Sequence, residues 1–195
     1  MKTEIEVKFC KVDIDDTRAR LQKAGANCVQ PMRLMRRQVF HLVDPDKNDY
    51  AYLRVRDEGD KTTMTYKQFA DQSLHGASEA EVVVSDFATT CEILLQSGLQ
   101  LKSYQETKRE TWQIDGVEVV IDLWPWLEPF IEIEGPNEDA VLQVASKLNF
   151  AWDDAVFGGA TEAYRASYPN LTKDMVMDDL AEIRFDLPLP DRLKA

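Results

Sequence analysis

Charged and apolar residues alternate along short segments of this chain, and this alternation constrains the fold more than any other feature. The first example is TEIEVKF, residues 3–9, in which Glu4, Glu6 and Lys8 alternate with three apolar residues. Alternation at period two is typical of a β-strand with one apolar and one polar face. The charged face of such a strand could contact solvent, or it could line the inside of a polar barrel.

Pairs of like charges recur on one face of several predicted strands. These pairs are Arg54 and Arg56, Glu79 and Glu81, and Glu132 and Glu134. Like charges two positions apart repel one another unless a group of opposite charge compensates them. A bound cation would compensate the carboxylates, and a bound polyanion would compensate the arginines. The repetition therefore favours a polar interior over a set of ordinary solvent-facing strands.

Three segments share a layout in which a Glu-x-Glu strand is followed by a short link and an amphipathic helix. They begin at Glu4, Glu79 and Glu132. Between them lie further strand-like segments joined by turn sequences, such as DEGDK at 57–61 and Asp115-Gly116. This pattern predicts about eight strands and three main helices. Because most connections are hairpins, we expect an α+β fold with an antiparallel sheet.

Helices that cover the apolar strand faces would leave the charged faces on the other side of the sheet. About eight antiparallel strands can close on themselves, which removes exposed strand edges. The sequence therefore predicts a closed antiparallel β-barrel, a tunnel of about eight strands lined with charge, with helices packed outside. We expect the tunnel domain at residues 1–169 and a C-terminal extension at 170–195.

Composition restricts the classes of partner. The formal net charge is −12, which disfavours binding to nucleic acid or to an anionic membrane, because phosphate backbones require a basic surface. The three cysteines lie far apart and form no CxxC motif, so neither disulfides nor zinc is expected. No apolar run is long enough for a bilayer, and the N-terminal residues lack the apolar core of a signal peptide. The expected location is the cytoplasm.

EIEVK, at residues 4–8, resembles the Glu-x-Glu-x-Lys signature of the CYTH superfamily, also called triphosphate tunnel metalloenzymes. The resemblance extends to roughly residue 168 through charged residues in a fixed order, namely Arg54-x-Arg56, Lys67, Glu79-x-Glu81, Arg109, Asp122 and Glu132-x-Glu134. It implies a closed eight-stranded tunnel that binds a triphosphate together with Mg²⁺ or Mn²⁺. The family includes class IV adenylate cyclases, thiamine triphosphatases and inorganic triphosphatases.

The resemblance also implies roles for individual residues. The residues that would hold phosphate oxygens are Lys8, Arg54, Arg56, Lys67, Arg109 and Arg165. The residues that would hold the metal are Glu4, Glu6, Asp122, Glu132 and Glu134. The catalytic residues among them would be Glu4, Lys8, Asp122 and Glu132, and Glu79 and Glu81 would complete the acidic lining. The segment at 158–168, which contains Tyr164 and Arg165, is similar to the one that caps a tunnel mouth in the family.

One position departs from the family pattern. The family often has Lys-x-Arg where this chain has Thr107-Lys108-Arg109. Thr107 takes the lysine position, and Lys108 is expected to point to the opposite face of the strand unless a β-bulge re-aims it. Whether this segment supplies a second base to the tunnel is left open.

Two reactions fit a site with bases on one side and acids on the other. Attack of water on the terminal phosphorus makes the protein a triphosphatase, whereas attack of the ribose 3′-hydroxyl of ATP on the α-phosphorus yields cyclic AMP and pyrophosphate. We expect a metal-dependent hydrolase of tripolyphosphate or of an organic or nucleoside triphosphate, because the sequence contains no evident adenine-binding motif. A class IV adenylate cyclase is the alternative, and a non-catalytic polyphosphate-binding module is a second one.

The expected partner is thus a small-molecule triphosphate, and formation of a homodimer is left open. Trp124, Trp126 and Trp152 are expected to fill the core or the rim rather than to stack on a base.

Overall fold

The computed structural model describes residues 1–172 and 177–194, in which ten strands and four α-helices are found. The helices are α1 (Ile14–Lys23), α2 (Phe87–Gln96), α3 (Glu138–Lys147) and α4 (Ala160–Ser167). The strands are β1 (Lys2–Thr3), β2 (Glu6–Cys10), β3 (Asn27–His41), β4 (Ala51–Asp57), β5 (Thr62–Phe69), β6 (Ala77–Val84), β7 (Gln100–Ile114), β8 (Val117–Leu123), β9 (Phe130–Glu134) and β10 (Glu182–Ile183). None of these helices is both long and apolar enough to cross a membrane.

The main sheet closes on itself through the N-terminal segment. Its neighbouring strands follow the order β1–β6–β5–β4–β3–β7–β8–β9–β2, and each pair along this order is antiparallel. Because β1 and β2 are consecutive in the chain, the two ends of the order meet. At the join, the Glu4 amide donates to the Ala77 carbonyl at 3.0 Å, and the Gly135 amide donates to the Ile5 carbonyl at 3.1 Å. With β1 and β2 counted as one segment there are eight strand positions, and the predicted α+β barrel is confirmed.

Helices α1 and α3 cover the outer, apolar face of one part of the barrel wall. Leu21 of α1 and Val141 and Val144 of α3 are buried in one cluster with apolar residues of β2, β8 and β9. The side chains of Asp13 and Asn137 cap the N-termini of these helices. Since side chains alternate along a strand, burial of the apolar residues outside directs the charged residues of the same strands inward.

The C-terminal segment packs beside the barrel. Strand β10 pairs in parallel with β7 at Tyr104 and Gln105. Strand β8 pairs with β7 only from Lys108 onward, so β10 covers a stretch of the β7 edge that β8 leaves free. Ile183 of β10 is fully buried in a cluster that includes Trp124. Residues 173–176 and 195 of the predicted extension lie outside the described residues.

Candidate functional site

The inner face of the barrel encloses a cavity of about 1060 Å³. Each of the predicted site residues contributes to its lining, namely Glu4, Glu6, Lys8, Arg54, Arg56, Lys67, Glu79, Glu81, Arg109, Asp122, Glu132, Glu134 and Arg165. Several are buried as deeply as core residues, with Glu4, Glu6 and Lys8 each 5% exposed or less. The alternative that the charged strand faces contact bulk solvent is therefore wrong.

The lining of the cavity extends to two ends of the barrel, which we name by their surroundings. The turn mouth is formed by the β4–β5 turn at residues 58–61 and the β7–β8 turn at 115–116. Both turns lie at the same end because β4 and β7 run antiparallel to the intervening β3. The helix mouth, at the other end, is bordered by α4, which contributes Thr161 and Arg165 to the lining.

Two lysines of the cavity, the buried Lys8 and the partly buried Lys67, are paired with its carboxylates. Lys8 Nζ lies 3.1 Å from Glu6 Oε1 and 2.9 Å from Glu132 Oε2. Lys67 pairs with Glu4, and its Nζ lies 3.4 Å from Glu6 Oε2. Burial alone would lower the pKa of Lys8, but Glu132 and Glu6 outweigh burial and raise it. Both lysines are therefore cations held within a network of carboxylates.

Three carboxylates of the cavity lie close enough together to share one cation. Glu6 is opposite Glu134 in the β2–β9 register, and one oxygen each of Glu4, Glu6 and Glu134 lies within 4.8 Å of the other two. The pKa of Glu134 is raised above its ordinary value. Burial is the largest cause and repulsion by Glu4 adds to it, whereas the neighbouring Lys2 acts in the opposite direction. A hard divalent cation with oxygen ligands would relieve this repulsion. The donor set therefore fits Mg²⁺ or Mn²⁺.

The other two predicted metal ligands lie outside this trio and contact the guanidinium of Arg109. Asp122 accepts two hydrogen bonds from Arg109, from Nε at 2.7 Å and from Nη2 at 2.6 Å. Glu132 pairs with Lys8 and lies 3.8 Å from Arg109 Nη2. Burial alone would raise the pKa of Glu132, but Lys8 and Arg109 lower it below its ordinary value. The structure thus separates the five predicted ligands into a trio close enough to share a cation and two carboxylates that contact Arg109.

Three arginines form a basic cluster on the wall made by β3 and β4. Arg37 is opposite Arg56 in the β3–β4 register, and Arg54 lies two residues before Arg56. Burial and the nearby Arg54 lower the pKa of Arg37 to about 9 and that of Arg56 to about 10. Within the described chain, the buried Nε atoms of Arg37 and Arg54 have no hydrogen-bond partner. Buried donors without a partner are costly, and an anion would satisfy them.

Arg37 is a functional candidate that the sequence did not reveal. Its Nη2 donates to Thr107 Oγ1 at 3.1 Å, and its guanidinium lies 4.5 Å from the centre of the Trp124 ring. Lys108, in contrast, lies with its Nζ 4.9 Å from the ring centre of Phe185 in the C-terminal segment. The position where the family often has a lysine is thus filled by Thr107 and by an arginine that reaches across from β3.

Helix α4 is anchored beside the helix mouth by two contacts. The buried Tyr164 donates its hydroxyl to the Pro125 carbonyl at 2.7 Å, which ties α4 to the β8–β9 loop. Arg165 pairs with Glu162, and Glu162 accepts a hydrogen bond from Gln72 Nε2 at 3.0 Å, which ties α4 to the β5–β6 loop. Arg165 therefore faces the cavity from a fixed position at its rim.

Comparison with known proteins identifies the same fold. The CYTH domain matches residues 2–153. A conserved hypothetical protein from Pyrococcus furiosus has a similar structure, with a TM-score of 0.66 and 21% identity over 78% of this chain and 94% of that one. A proposed adenylate cyclase from Vibrio parahaemolyticus has a TM-score of 0.71 and 9% identity over 83% and 97% of the two chains.

A third similar structure is that of HpAC1 from Hippeastrum, a proposed adenylyl cyclase with a dominant triphosphatase activity. Its TM-score is 0.59, with 15% identity over 87% of this chain and 98% of that one. At these identities the likeness concerns the fold. No curated protein matches the chain. The family match covers more than half of the sequence, and the Glu-x-Glu-x-Lys residues lie inside a closed barrel, so the chain belongs to the CYTH family.

Proposed function

We propose that this protein is a divalent-cation-dependent hydrolase that binds a triphosphate in the barrel cavity. One observation carries the proposal: a cluster of arginines with unpaired buried donors and a trio of carboxylates line the same enclosed space. CYTH proteins bind triphosphates and are metal-dependent. A triphosphate with a divalent cation has the complementary charge for both clusters, since its phosphate oxygens are anionic and its cation requires oxygen ligands.

The arginines bind and orient the phosphate chain. The guanidinium fork donates parallel hydrogen bonds to phosphate oxygens, which suits Arg37 and Arg54. Arg56 adds positive charge to the same wall, while its Nε and Nη2 contact Glu58. Arg109 is held by Asp122 in a two-point contact, so its position is fixed before substrate enters. Phosphoryl transfer depends mainly on positioning and on stabilisation of charge, and a preorganised basic wall supplies both.

Glu4, Glu6 and Glu134 would hold Mg²⁺ or Mn²⁺. A bound divalent cation neutralises phosphate oxygens and lowers the pKa of a coordinated water. Lys8 and Lys67 now neutralise these carboxylates, and their ammonium groups can turn to phosphate oxygens once the carboxylates have another partner. Glu132 stays ionised at neutral pH because Lys8 and Arg109 lower its pKa, so it can accept a hydrogen bond from the attacking water.

The surroundings of Trp124, which lines the cavity, and of the nearby Trp126 support hydrolysis over a reaction that requires a bound nucleobase. Trp124 is 5% exposed, with Arg37 over its ring and Tyr164 against its edge at 6.3 Å between ring centres. Trp126 donates its Nε1 to the Leu187 carbonyl at 2.9 Å. The ring of Trp124 is covered by Arg37 and Tyr164, although its buried Nε1 has no hydrogen-bond partner within the described chain. The triphosphate needs no nucleobase to be recognised by the arginines.

The experiment mixes the purified protein with Mg²⁺ or Mn²⁺ and either tripolyphosphate or ATP, and measures inorganic phosphate and cyclic AMP. We expect cation-dependent release of phosphate without cyclic AMP. Cyclic AMP and pyrophosphate from ATP would replace the hydrolase by an adenylate cyclase. A rise in melting temperature with tripolyphosphate but no product would indicate a binding module.

We further propose that residues 1–169 form the tunnel domain and that 170–195 form an extension that completes its wall. The pairing of β10 with β7 and the burial of Ile183 support this division.

A further inference from the structure

A single carboxylate lies among three cations at the turn mouth. Glu58 follows the end of β4 and is only 4% exposed. Its Oε1 accepts from Arg56, with Nε at 2.9 Å and Nη2 at 2.6 Å. Its Oε2 lies 3.4 Å from Arg33 Nη2 and 3.9 Å from Lys61 Nζ. Arg33 also donates its Nε to the Glu58 carbonyl at 3.0 Å.

This carboxylate is ionised at neutral pH. Burial alone would raise the pKa of Glu58, but Arg56 and Lys61 lower it below its ordinary value. The charged group is thus fixed in place by its partners rather than mobile at the rim. Neither Arg33 nor Lys61 belongs to the residues that the sequence pattern pointed to.

Guanidinium groups bind carboxylates and phosphates with the same fork geometry. Glu58 therefore occupies a position in which a phosphate group would bind Arg33, Arg56 and Lys61. Arg56 is also part of the arginine cluster inside the cavity, so the Glu58 position is the next anion position along the wall toward the turn mouth. A phosphate chain that extends from the cluster toward this mouth meets a fixed negative charge there.

We propose that Glu58 limits the length of the phosphate chain that the tunnel accepts, because its carboxylate fills the anion position between Arg33, Arg56 and Lys61 and blocks extension through the turn mouth. This inference rests on the proposed function, in that the arginine cluster binds the phosphates of the substrate. The favoured ligands are then short chains such as tripolyphosphate, and long inorganic polyphosphates are excluded from this end.

The test compares affinities for tripolyphosphate and for long-chain inorganic polyphosphate by isothermal titration calorimetry, in EDTA and separately in Ca²⁺. Glu58→Gln removes the charge and keeps the shape of the side chain. We expect the affinity for long-chain polyphosphate to rise by about tenfold relative to that for tripolyphosphate, which is the usual order for one charge-assisted hydrogen bond. The matched control is Asp60→Asn on the same turn. The Asp60 carboxylate accepts a hydrogen bond from Gln30, and removal of its charge should leave the ratio of the two affinities unchanged.

The outcomes separate the two proposals. A ratio that is unchanged in Glu58→Gln, or that shifts equally in Asp60→Asn, overturns the role of Glu58 while tripolyphosphate binding still supports the proposed function. If the wild-type protein binds neither probe in either buffer, the proposed function fails, and the role of Glu58 fails with it. Should Glu58→Gln not fold, the dependence of affinity on chain length in the wild-type protein decides the question. At equal concentrations of chains, long-chain polyphosphate should bind no more tightly than tripolyphosphate, and a clearly higher affinity for the long chain overturns the proposal.

Discussion

The charged side chains of the cavity differ in how far a partner of opposite charge neutralises them, and this difference indicates which ligand each would bind. Lys8, Lys67 and Arg109 each have a carboxylate partner. Arg37 has a hydroxyl and an aromatic ring but no carboxylate partner among those described for it. A buried cation of this kind lowers stability until an anion arrives. A buried cation without a carboxylate partner, such as Arg37, is therefore the most informative residue to substitute.

Arg37→Met should separate binding from stability. The substitution removes an uncompensated buried cation, so we expect an unchanged or higher melting temperature. It also removes a phosphate donor, so the affinity for tripolyphosphate should fall by about tenfold or more. Titration calorimetry and thermal unfolding measure the two effects. Arg36→Met, on the exposed face of the same strand, is the control and should leave affinity unchanged; equal losses in both variants would contradict the role of Arg37.

Glu134→Gln should abolish the response to divalent cations without unfolding the barrel. It removes one charge from the carboxylate trio, so the rise in melting temperature caused by Mn²⁺ should shrink, and turnover should fall by about a hundredfold. Glu118→Gln serves as the matched control, because Glu118 lies opposite Glu134 on β8 and accepts from Gln113. A full Mn²⁺ response in Glu134→Gln would remove this residue from the metal site.

The ion pairs of Glu132 should make the stability of the folded protein depend on pH in the acidic range. Since Lys8 and Arg109 lower the pKa of Glu132 in the folded protein, this carboxylate stabilises the fold above its unfolded pKa, and the contribution is lost as pH falls below that value. We expect the melting temperature of the wild-type protein to fall more steeply between about pH 5 and pH 3 than that of Glu132→Gln. Parallel curves would show that Glu132 does not contribute.

At the scale of secondary-structure elements, the pairing of β10 with β7 links the C-terminal segment to the barrel wall. Ile183 is fully buried beside Trp124, and Trp124 in turn lies under Arg37. Packing of this segment therefore supports the position of a residue inside the cavity. The element is short, and its contribution depends on one apolar side chain.

Ile183→Ala should lower the free energy of unfolding by about 2 to 5 kcal/mol, the usual cost of removing a large buried aliphatic side chain. Phe185→Ala is the control, since Phe185 is 38% exposed, and it should cost less. Denaturant unfolding measures both. Equal, small effects would mean that β10 adds little to the stability of the barrel.

The elements also show what the sequence could and could not predict. Period-two alternation revealed the inward residues wherever the inner face of a strand is uniformly polar, as at Glu6 and Lys8. It missed Arg37 because its neighbours on the same face, Met35 and Val39, are buried and apolar. Glu58 was read as part of a turn; its partners Arg56 and Lys61 are on the same hairpin, but the contact with Arg33 requires the fold, because Arg33 lies on β3.

At the scale of the whole molecule, closure of the sheet gives these charges a common enclosed space. The N-terminal segment pairs with β6 on one side and with β9 on the other, so Glu4 and Glu6 lie at the join that completes the wall. The segment that closes the barrel therefore also supplies two of the three carboxylates that would hold the cation. This arrangement predicts that a cation and a phosphate chain occupy opposite walls of one cavity.

The most direct test is a crystal structure of the wild-type protein with Mn²⁺ and tripolyphosphate, with the metal located by its anomalous scattering. We expect the manganese peak among Glu4, Glu6 and Glu134, and the phosphate chain against Arg37, Arg54 and Arg56 inside the barrel. Manganese away from the carboxylate trio, or tripolyphosphate bound on the outer surface with an empty cavity, would contradict the account.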